Sequence, residues 1–268
     1  KYDSKIEKSS YQAADDPKNV IRYNITINRN MANYSNVTIT DKIASPNLAF
    51  LPETFKIYKV NWRWNNGDWK YDILQDSTNA LKSKLVPNPN GDGFTLPLGD
   101  TNGFGYIIEY QVKANYDLVD REIITNTANM NYNGGQNEKS TSSRAYQIAG
   151  GVAEGYVFSI KIHKVNESNQ PLQGAVFEVV RDRTGAVVGT LTTNSDGNAT
   201  VGELLRDDYI IREVTAPFGY ERLADEIKIG SQDFGTDKSV TREIVNTKTP
   251  PKTPIEKEIT FKKVDPNG

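Results

Sequence analysis

The sequence predicts an all-β protein made of two β-sandwiches in tandem, and three observations carry that prediction. Short runs rich in Val, Ile, Thr and Tyr alternate apolar with polar positions, the period of a half-buried strand. Gly, Pro, Asn and Asp punctuate these runs densely, and no helical period persists anywhere. The length of 268 residues exceeds one ordinary domain of roughly 100 to 200 residues, so two cores are expected.

The first set of strand-like runs comprises residues 20–28 (VIRYNITIN), 36–43, 54–60, 106–114 and 123–132. A second set comprises residues 156–165 (YVFSIKIHKV), 175–181, 209–214, 226–229 and 240–246. Between them, residues 148–155 (IAGGVAEG) read as a short linker, which divides the chain into a domain over 1–149 and another over 150–248. Residues 249–258 hold three prolines and read as an extended spacer. Residues 259–268 (ITFKKVDPNG) repeat the pattern that opens the second domain, and predict the first strand of a further repeat. The sequence therefore reads as part of a longer tandem array.

Composition removes several function classes. The 32 Lys+Arg against 34 Asp+Glu give a net charge of -2, and no basic stripe could track phosphates, which sets nucleic acid aside. With 37% hydrophobic and 25% charged residues and a mean hydropathy of -0.60, the chain can build cores and stay soluble. No apolar run approaches the roughly 20 residues of a membrane span. Cysteine is absent, which excludes disulfides, thiol nucleophiles and Cys-ligated metals. The one histidine, His163, falls on the outward side of a strand, so neither a metal nor a cofactor is expected.

Sorting each strand into its two faces exposes a conflict. In the second domain Lys164 shares a face with Phe158, Ile160 and Ile162; Glu213 with Tyr209 and Ile211; Asn246 with Val240 and Ile244. In the first domain Lys8 follows Ile6, Asp41 stands among Val37, Ile39 and Ile43, and Asn126 stands among Ile124, Ala128 and Met130. A lysine, a carboxyl and an asparagine thus point inward in both. Burial disfavours the charged forms of amine and carboxyl, so both groups can be neutral together. A neutral amine is a nucleophile and a protonated carboxyl can polarise a carboxamide oxygen, which are the parts for amide formation with loss of ammonia. A buried salt bridge capped by Asn, or strand-end residues at the solvent boundary, fits the alternation as well.

Residues 209–220 (YIIREVTAPFGY) resemble the E-box of Gram-positive pilins and Cna B-type repeats, Y-x-(L/I)-x-E-x-x-A-P-x-G-Y. The order around it also resembles that family: Lys164 in HKVNESNQPLQGAVFEV, the TTNSDGNATVGEL hairpin, the E-box, then IVN at 244–246. This resemblance implies an immunoglobulin-like sandwich with a spontaneous Lys164–Asn246 isopeptide bond, assisted by Glu213. It also makes Lys263 the reactive lysine of the next repeat. The first domain is similar to Cna A-type, DEv-IgG-like domains through YNITIN at 23–28, VTITDKI at 37–43 and TNTANMNY at 125–132. By that analogy Lys8 and Asn126 form its bond with Asp41 in the assisting role; Lys5 lies nearby, and Asn129 falls on the opposite face. Each bond is expected to join the first strand of its domain to the last.

Other signals carry less. Residues 51–55 (LPETF) miss the Gly of a sortase motif and sit far from a C-terminal sorting position. The stretch NPNGDG at 88–93 lacks the Glu that completes a calcium loop and reads as a turn. Trp62, Trp64 and Trp69 flank an Asn-Gly turn and read as cross-strand packing, with an aromatic ligand platform as the alternative. Asp15 and Asp16 read as a solvated loop.

The resemblance implies a non-enzymatic stalk or adhesion region of a cell-wall-anchored, extracellular Gram-positive surface protein, monomeric in isolation. The alternatives are a sortase-polymerised pilus subunit, with other subunits as partners, and a module binding a host extracellular-matrix protein. A carbohydrate-active module needs paired carboxylates in a cleft, of which the sequence gives no sign.

Overall fold

Strands with one apolar face need a second sheet to cover it, and each half of the chain supplies two sheets. The computed structural model describes residues 4–135 and 137–266. Over residues 6–145 the strands are β1 (Ile6–Tyr11), β2 (Val20–Ile27), β3 (Val37–Ile43), β4 (Leu48–Asn65), β5 (Asp68–Asp76), β6 (Val86–Pro87), β7 (Gly93–Gly99), β8 (Gly105–Ala114), β9 (Ile123–Asn131) and β10 (Glu138–Ala145). They form two five-stranded sheets in the orders β1-β2-β8-β4-β5 and β10-β9-β3-β7-β6. Ile25, Ile57, Ile108 and Tyr110 of the first sheet meet Ile39, Leu96, Ile124 and Met130 of the second in one buried cluster.

At one open edge β1 lies against β10 through side chains. Lys8 N donates to Ser140 Oγ at 2.9 Å, and Arg144 Nη2 donates to Ser10 O at 2.6 Å. Tyr146 N bonds Glu122 O at 2.8 Å just beyond β10, which fastens the end of that strand to the loop before β9.

The second sandwich contains β11 (Phe158–Asn166), β12 (Val176–Arg181), β13 (Val187–Thr192), β14 (Asn198–Leu204), β15 (Tyr209–Thr215), β16 (Ile227–Ile229) and β17 (Ser239–Asn246). Its sheets run β14-β11-β17 and β13-β12-β15-β16. First and last strands, β11 and β17, pair in parallel, with Lys164 opposite Ile244 and Asn166 opposite Asn246.

The two sandwiches touch through buried charges. Arg181, at the end of β12, bonds Glu122 of the first sandwich, with Nη2 at 3.1 Å from Oε2, and its Nε donates to Asp207 at 2.7 Å. Arg183 also donates to Asp207, at 2.8 Å, and to the carbonyl of Asp117. Tyr116 and Val119 N complete the shell of Glu122, at 2.7 and 3.0 Å.

Several sequence expectations change in the structure. The run expected over 54–60 is the middle of an 18-residue strand, β4, whose ladder to β8 slips between Leu51 and Lys56. That irregularity absorbs Pro52, which has no N–H to pair, and so hid the strand. A short helix, α1 (Thr78–Lys82), was not foreseen. Asp16 is not solvated: its side chain is 5% exposed and accepts from Arg22 and Ala13 N. The Asn66-Gly67 turn is as expected, with both residues at positive φ (50° and 81°). Residues 259–265 are exposed and form no strand, as a strand without a neighbour to share its hydrogen bonds would not.

Candidate functional site

Both cores bury the inward trio; in the first the lysine bonds the carboxylate, and in the second the lysine bonds a backbone carbonyl beside the Glu213–Asn246 pair. In the first sandwich Lys8 from β1, Asp41 from β3 and Asn126 from β9 are all buried, because each occupies an inward position of its strand's alternation. Lys8 Nζ lies 2.6 Å from Asp41 Oδ2 and also bonds the hydroxyl of Tyr110, from β8. Tyr110 donates to the same Asp41 Oδ2 at 2.6 Å, and Asn126 Nδ2 donates to the Tyr110 oxygen at 3.3 Å. Lys8 Nζ also stands 4.5 Å from the Tyr23 ring centroid, and Tyr110 stacks on Phe55 at 5.0 Å, so aromatic faces shut water out. Burial pulls the Lys8 amine below its ordinary pKa, against the opposing charge and hydrogen bond of Asp41.

Asn126 is not on the last strand of its domain, as the sequence reading had it. It sits on β9, and β10 follows, pairing Ser142 with Asn126. Lys8, not Lys5, is the inward lysine: Lys5 makes a half-exposed ion pair with Glu138 at 2.9 Å. Asn129 faces away from the core.

In the second sandwich Lys164 from β11, Glu213 from β15 and Asn246 from β17 are buried together at the end where the two parallel strands finish. Asn246 Nδ2 donates to Glu213 Oε2 and to Glu221 O, each at 2.9 Å. Glu213 Oε2 accepts from Leu223 N as well. Lys164 Nζ donates to Ile244 O at 2.8 Å, two residues before Asn246. Desolvation lowers the Lys164 pKa from 10.5 to about 8, with the charge of Glu213 acting in the other direction.

The two sites share an unusual deficit. In each, the asparagine side-chain oxygen and one carboxylate oxygen are buried without a hydrogen-bond partner: Asn126 Oδ1 with Asp41 Oδ1, and Asn246 Oδ1 with Glu213 Oε1. Buried acceptors are nearly always satisfied, so the same pair left open in two cores needs a reason. A single O–H placed on the carboxyl and directed at the amide oxygen would fill both vacancies. The same bond would draw electron density from the carboxamide carbon and make it a better electrophile.

Other candidates fall into place as structure. His163 bonds Asn198 across β11 and β14 at 2.8 Å. Trp64 pairs with Trp69 and Trp62 with Tyr71 across the β4–β5 hairpin, and their rings meet edge to face at 73° and 66°, which is cross-strand packing. The NPNGDG stretch is a turn in which Asn88 Nδ2 bonds Asp92 and Lys42 pairs with Asp92. No group of three or more His, Cys, Asp and Glu suited to a metal occurs among the described residues. Sequence reasoning missed Tyr110, since an aromatic on the apolar face of a strand reads simply as core. Glu122, Arg181 and Asp207 were missed because they sit at loops and a strand end, outside any period.

The family of the SpaA prealbumin-like fold domain matches residues 158–246. No curated protein matches the sequence. Among solved structures, the major pilin subunit BcpA of Bacillus cereus is 17% identical, with 91% of this chain and 70% of that chain covered at a TM-score of 0.35. The collagen-binding subdomain of the Enterococcus faecalis surface protein ACE is 17% identical over 53% of this chain and 97% of its own, with a TM-score of 0.38. A collagen-binding domain from a Staphylococcus aureus adhesin is 13% identical over 53% and 98%, with a TM-score of 0.40. The second sandwich, residues 158–246, thus matches the SpaA prealbumin-like family over its whole length, in agreement with the resemblance carried by the E-box at 209–220.

Proposed function

We propose that the chain is a load-bearing segment of a Gram-positive extracellular surface protein, a stalk or pilus region anchored to the cell wall, whose two domains each close an isopeptide bond: Lys8 to Asn126 and Lys164 to Asn246. The observation that supports this reading is the recurrence, in two sandwiches of different topology, of one buried lysine–carboxyl–asparagine trio with the same two oxygens left open. An ordinary structural salt bridge needs neither the asparagine nor that deficit.

The chemistry runs on the chain's own groups. The carboxylate takes a proton from the lysine, and the freed amine attacks the asparagine Cγ while the carbonyl electron pair moves to Oδ1. The pair returns, the Cγ–Nδ2 bond breaks, and Nδ2 leaves as ammonia with a proton from the carboxyl, while the attacking nitrogen gives its second proton to the carboxylate so regenerated. Each site reacts once, so there is no turnover and the protein is not an enzyme in the ordinary sense. A bond of this kind withstands reducing conditions that would open a disulfide, which suits a cysteine-free chain outside the cell.

Intact mass of the denatured protein tests the reading, because each bond removes one ammonia, roughly 17 Da. The expected deficit is two ammonias, with Lys8→Ala restoring one and Lys164→Ala the other. A mass equal to that of the sequence overturns the proposal.

A further inference from the structure

The two sites solve one chemical problem differently, and the difference singles out a fourth residue. Ammonia can leave only if Nδ2 of the asparagine receives a proton, while the proton removed from the lysine starts on the carboxylate. In the second sandwich one carboxylate oxygen suffices, since Glu213 Oε2 already holds Asn246 Nδ2 at 2.9 Å. Asp41 is a methylene shorter. Among the described residues, Asn126 Nδ2 has one hydrogen bond, and it goes to Tyr110. The Tyr110 hydroxyl also touches Lys8 Nζ and Asp41 Oδ2.

We infer that Tyr110 is a catalytic residue of the first domain, the hydroxyl that carries the proton from Asp41 to the leaving nitrogen of Asn126. This rests on the proposed Lys8–Asn126 bond and adds its proton path. As the tetrahedral adduct collapses, the phenol gives its proton to Nδ2, Asp41 returns the proton it took from Lys8 to the phenol oxygen, and the Asp41 carboxylate so regenerated takes the second proton from the Lys8 nitrogen as it becomes the amide. Lysine ammonium, carboxamide and carboxylate become amide, ammonia and carboxylic acid, with Tyr110 unchanged and charge and hydrogens conserved. Full burial and the neighbouring Asp41 charge hold the phenol pKa well above its ordinary value, so Tyr110 enters the reaction carrying its proton. The ring is positioned before the reaction begins: it stacks on Phe55 and Tyr23 at 5.0 and 5.7 Å and meets Phe94 edge-on at 5.3 Å.

The test follows bond formation by intact mass during cell-free synthesis, in aliquots quenched in denaturant, with the Lys164–Asn246 bond of the same chain as internal clock. Tyr110→Phe preserves the ring and is expected to slow the first-domain ammonia loss about a hundredfold or more, the usual scale of general acid catalysis. Tyr106→Phe is the control, because Tyr106 lies on the same strand as Tyr110 in the same core but outside the trio, and its rate should equal wild type. A Tyr110→Phe rate within twofold of wild type overturns the inference. Should Tyr110→Phe fail to fold, a ring-fluorinated tyrosine at position 110 keeps the shape and changes only the acidity. A several-fold change in its rate supports the relay, and an unchanged rate overturns it. If wild type never loses the first-domain ammonia, the bond itself is refuted and the relay falls with it.

Discussion

Lys164 is held in a place where its charge is unwelcome, and that has a measurable consequence once the bond is prevented. In a variant such as Asn246→Ala the amine stays free, with a folded pKa of about 8 against 10.5 for an ordinary lysine. Between those values the unfolded chain binds more protons than the folded one, so stability rises with pH across that window. Below pH 8 the full penalty applies, about 3 kcal/mol by the usual conversion of pKa units to energy. Denaturant unfolding of Asn246→Ala from pH 7.5 to 10.5 should therefore show a gain of that order. The Lys164→Met/Asn246→Ala double variant, lacking the amine, supplies the baseline for every other titrating group, and equal slopes in the two proteins would remove Lys164 as the cause. The inward lysines, carboxyls and asparagines were legible in the sequence because side-chain alternation is strict and a polar residue on an apolar face stands out. Tyr110 was not, since its ring obeys the pattern and only its hydroxyl, invisible to periodicity, does the chemistry.

At the scale of elements, each trio depends on strands approaching more closely than a side chain would allow. Gly93 opens β7 opposite β3, and a Cβ there would lie 1.9 Å from the carbonyl oxygen of Asp41. Gly197, in the β13–β14 turn, has φ of +75°, and a Cβ there would lie 2.3 Å from the carbonyl oxygen of Lys164, whose N–H bonds Gly197 O at 2.7 Å. Both obstacles are backbone atoms, which cannot swing aside, so alanine must displace the strand bearing the reactive group. Reactions of this kind lose rate steeply when reacting atoms shift by about 1 Å. Gly93→Ala should therefore yield protein missing only the second-domain ammonia, and Gly197→Ala protein missing only the first; a full double deficit in either variant would show that the sites tolerate the shift. Most strands were legible from alternation between turn residues, and the β4–β5 hairpin from Asn66-Gly67. The full length of β4 was not, because the slip near Pro52 breaks the alternation that reveals a strand.

At the scale of the molecule, the question is which parts of the chain carry tension. In the second sandwich a pull on β11 would travel from Phe158 to Lys164, cross to Asn246 at the end of β17, and leave, so the strands between stay unloaded. Bonds closing loops of roughly 80 and 120 residues would also remove about 4 to 5 kcal/mol each of unfolded-chain entropy, on the disulfide scale. The first sandwich differs because Asn126 lies on β9: tension entering at Lys8 and crossing to Asn126 must still run through the end of β9 and all of β10 to reach the second domain. Asn126 pairs with Ser142, so the β9–β10 hairpin would be loaded near its open end, the direction in which a hairpin unzips one bond at a time. Three sets of contacts oppose that peeling. The β1–β10 bonds of Ser140 and Arg144 hold the strand, Tyr146 N is fastened to Glu122 O, and Glu122 is gripped from the second domain by Arg181. Arg181 thus ties the loop before β9 to the neighbouring domain, and removing its guanidinium would leave the Glu122 carboxylate buried without an opposite charge. Pulled end to end in a single-molecule experiment, the cross-linked chain should release the hairpin as one short step, about 20 residues or roughly 70 Å at 3.3 to 3.6 Å per residue. No step from the second sandwich should exceed the few residues ahead of Lys164. Glu122→Gln should lower the force of the short step without changing its length, whereas Lys8→Ala should replace it with an extension of several hundred Å. A wild-type first domain that extends fully, despite a measured double ammonia deficit, would mean that tension does not follow the covalent path.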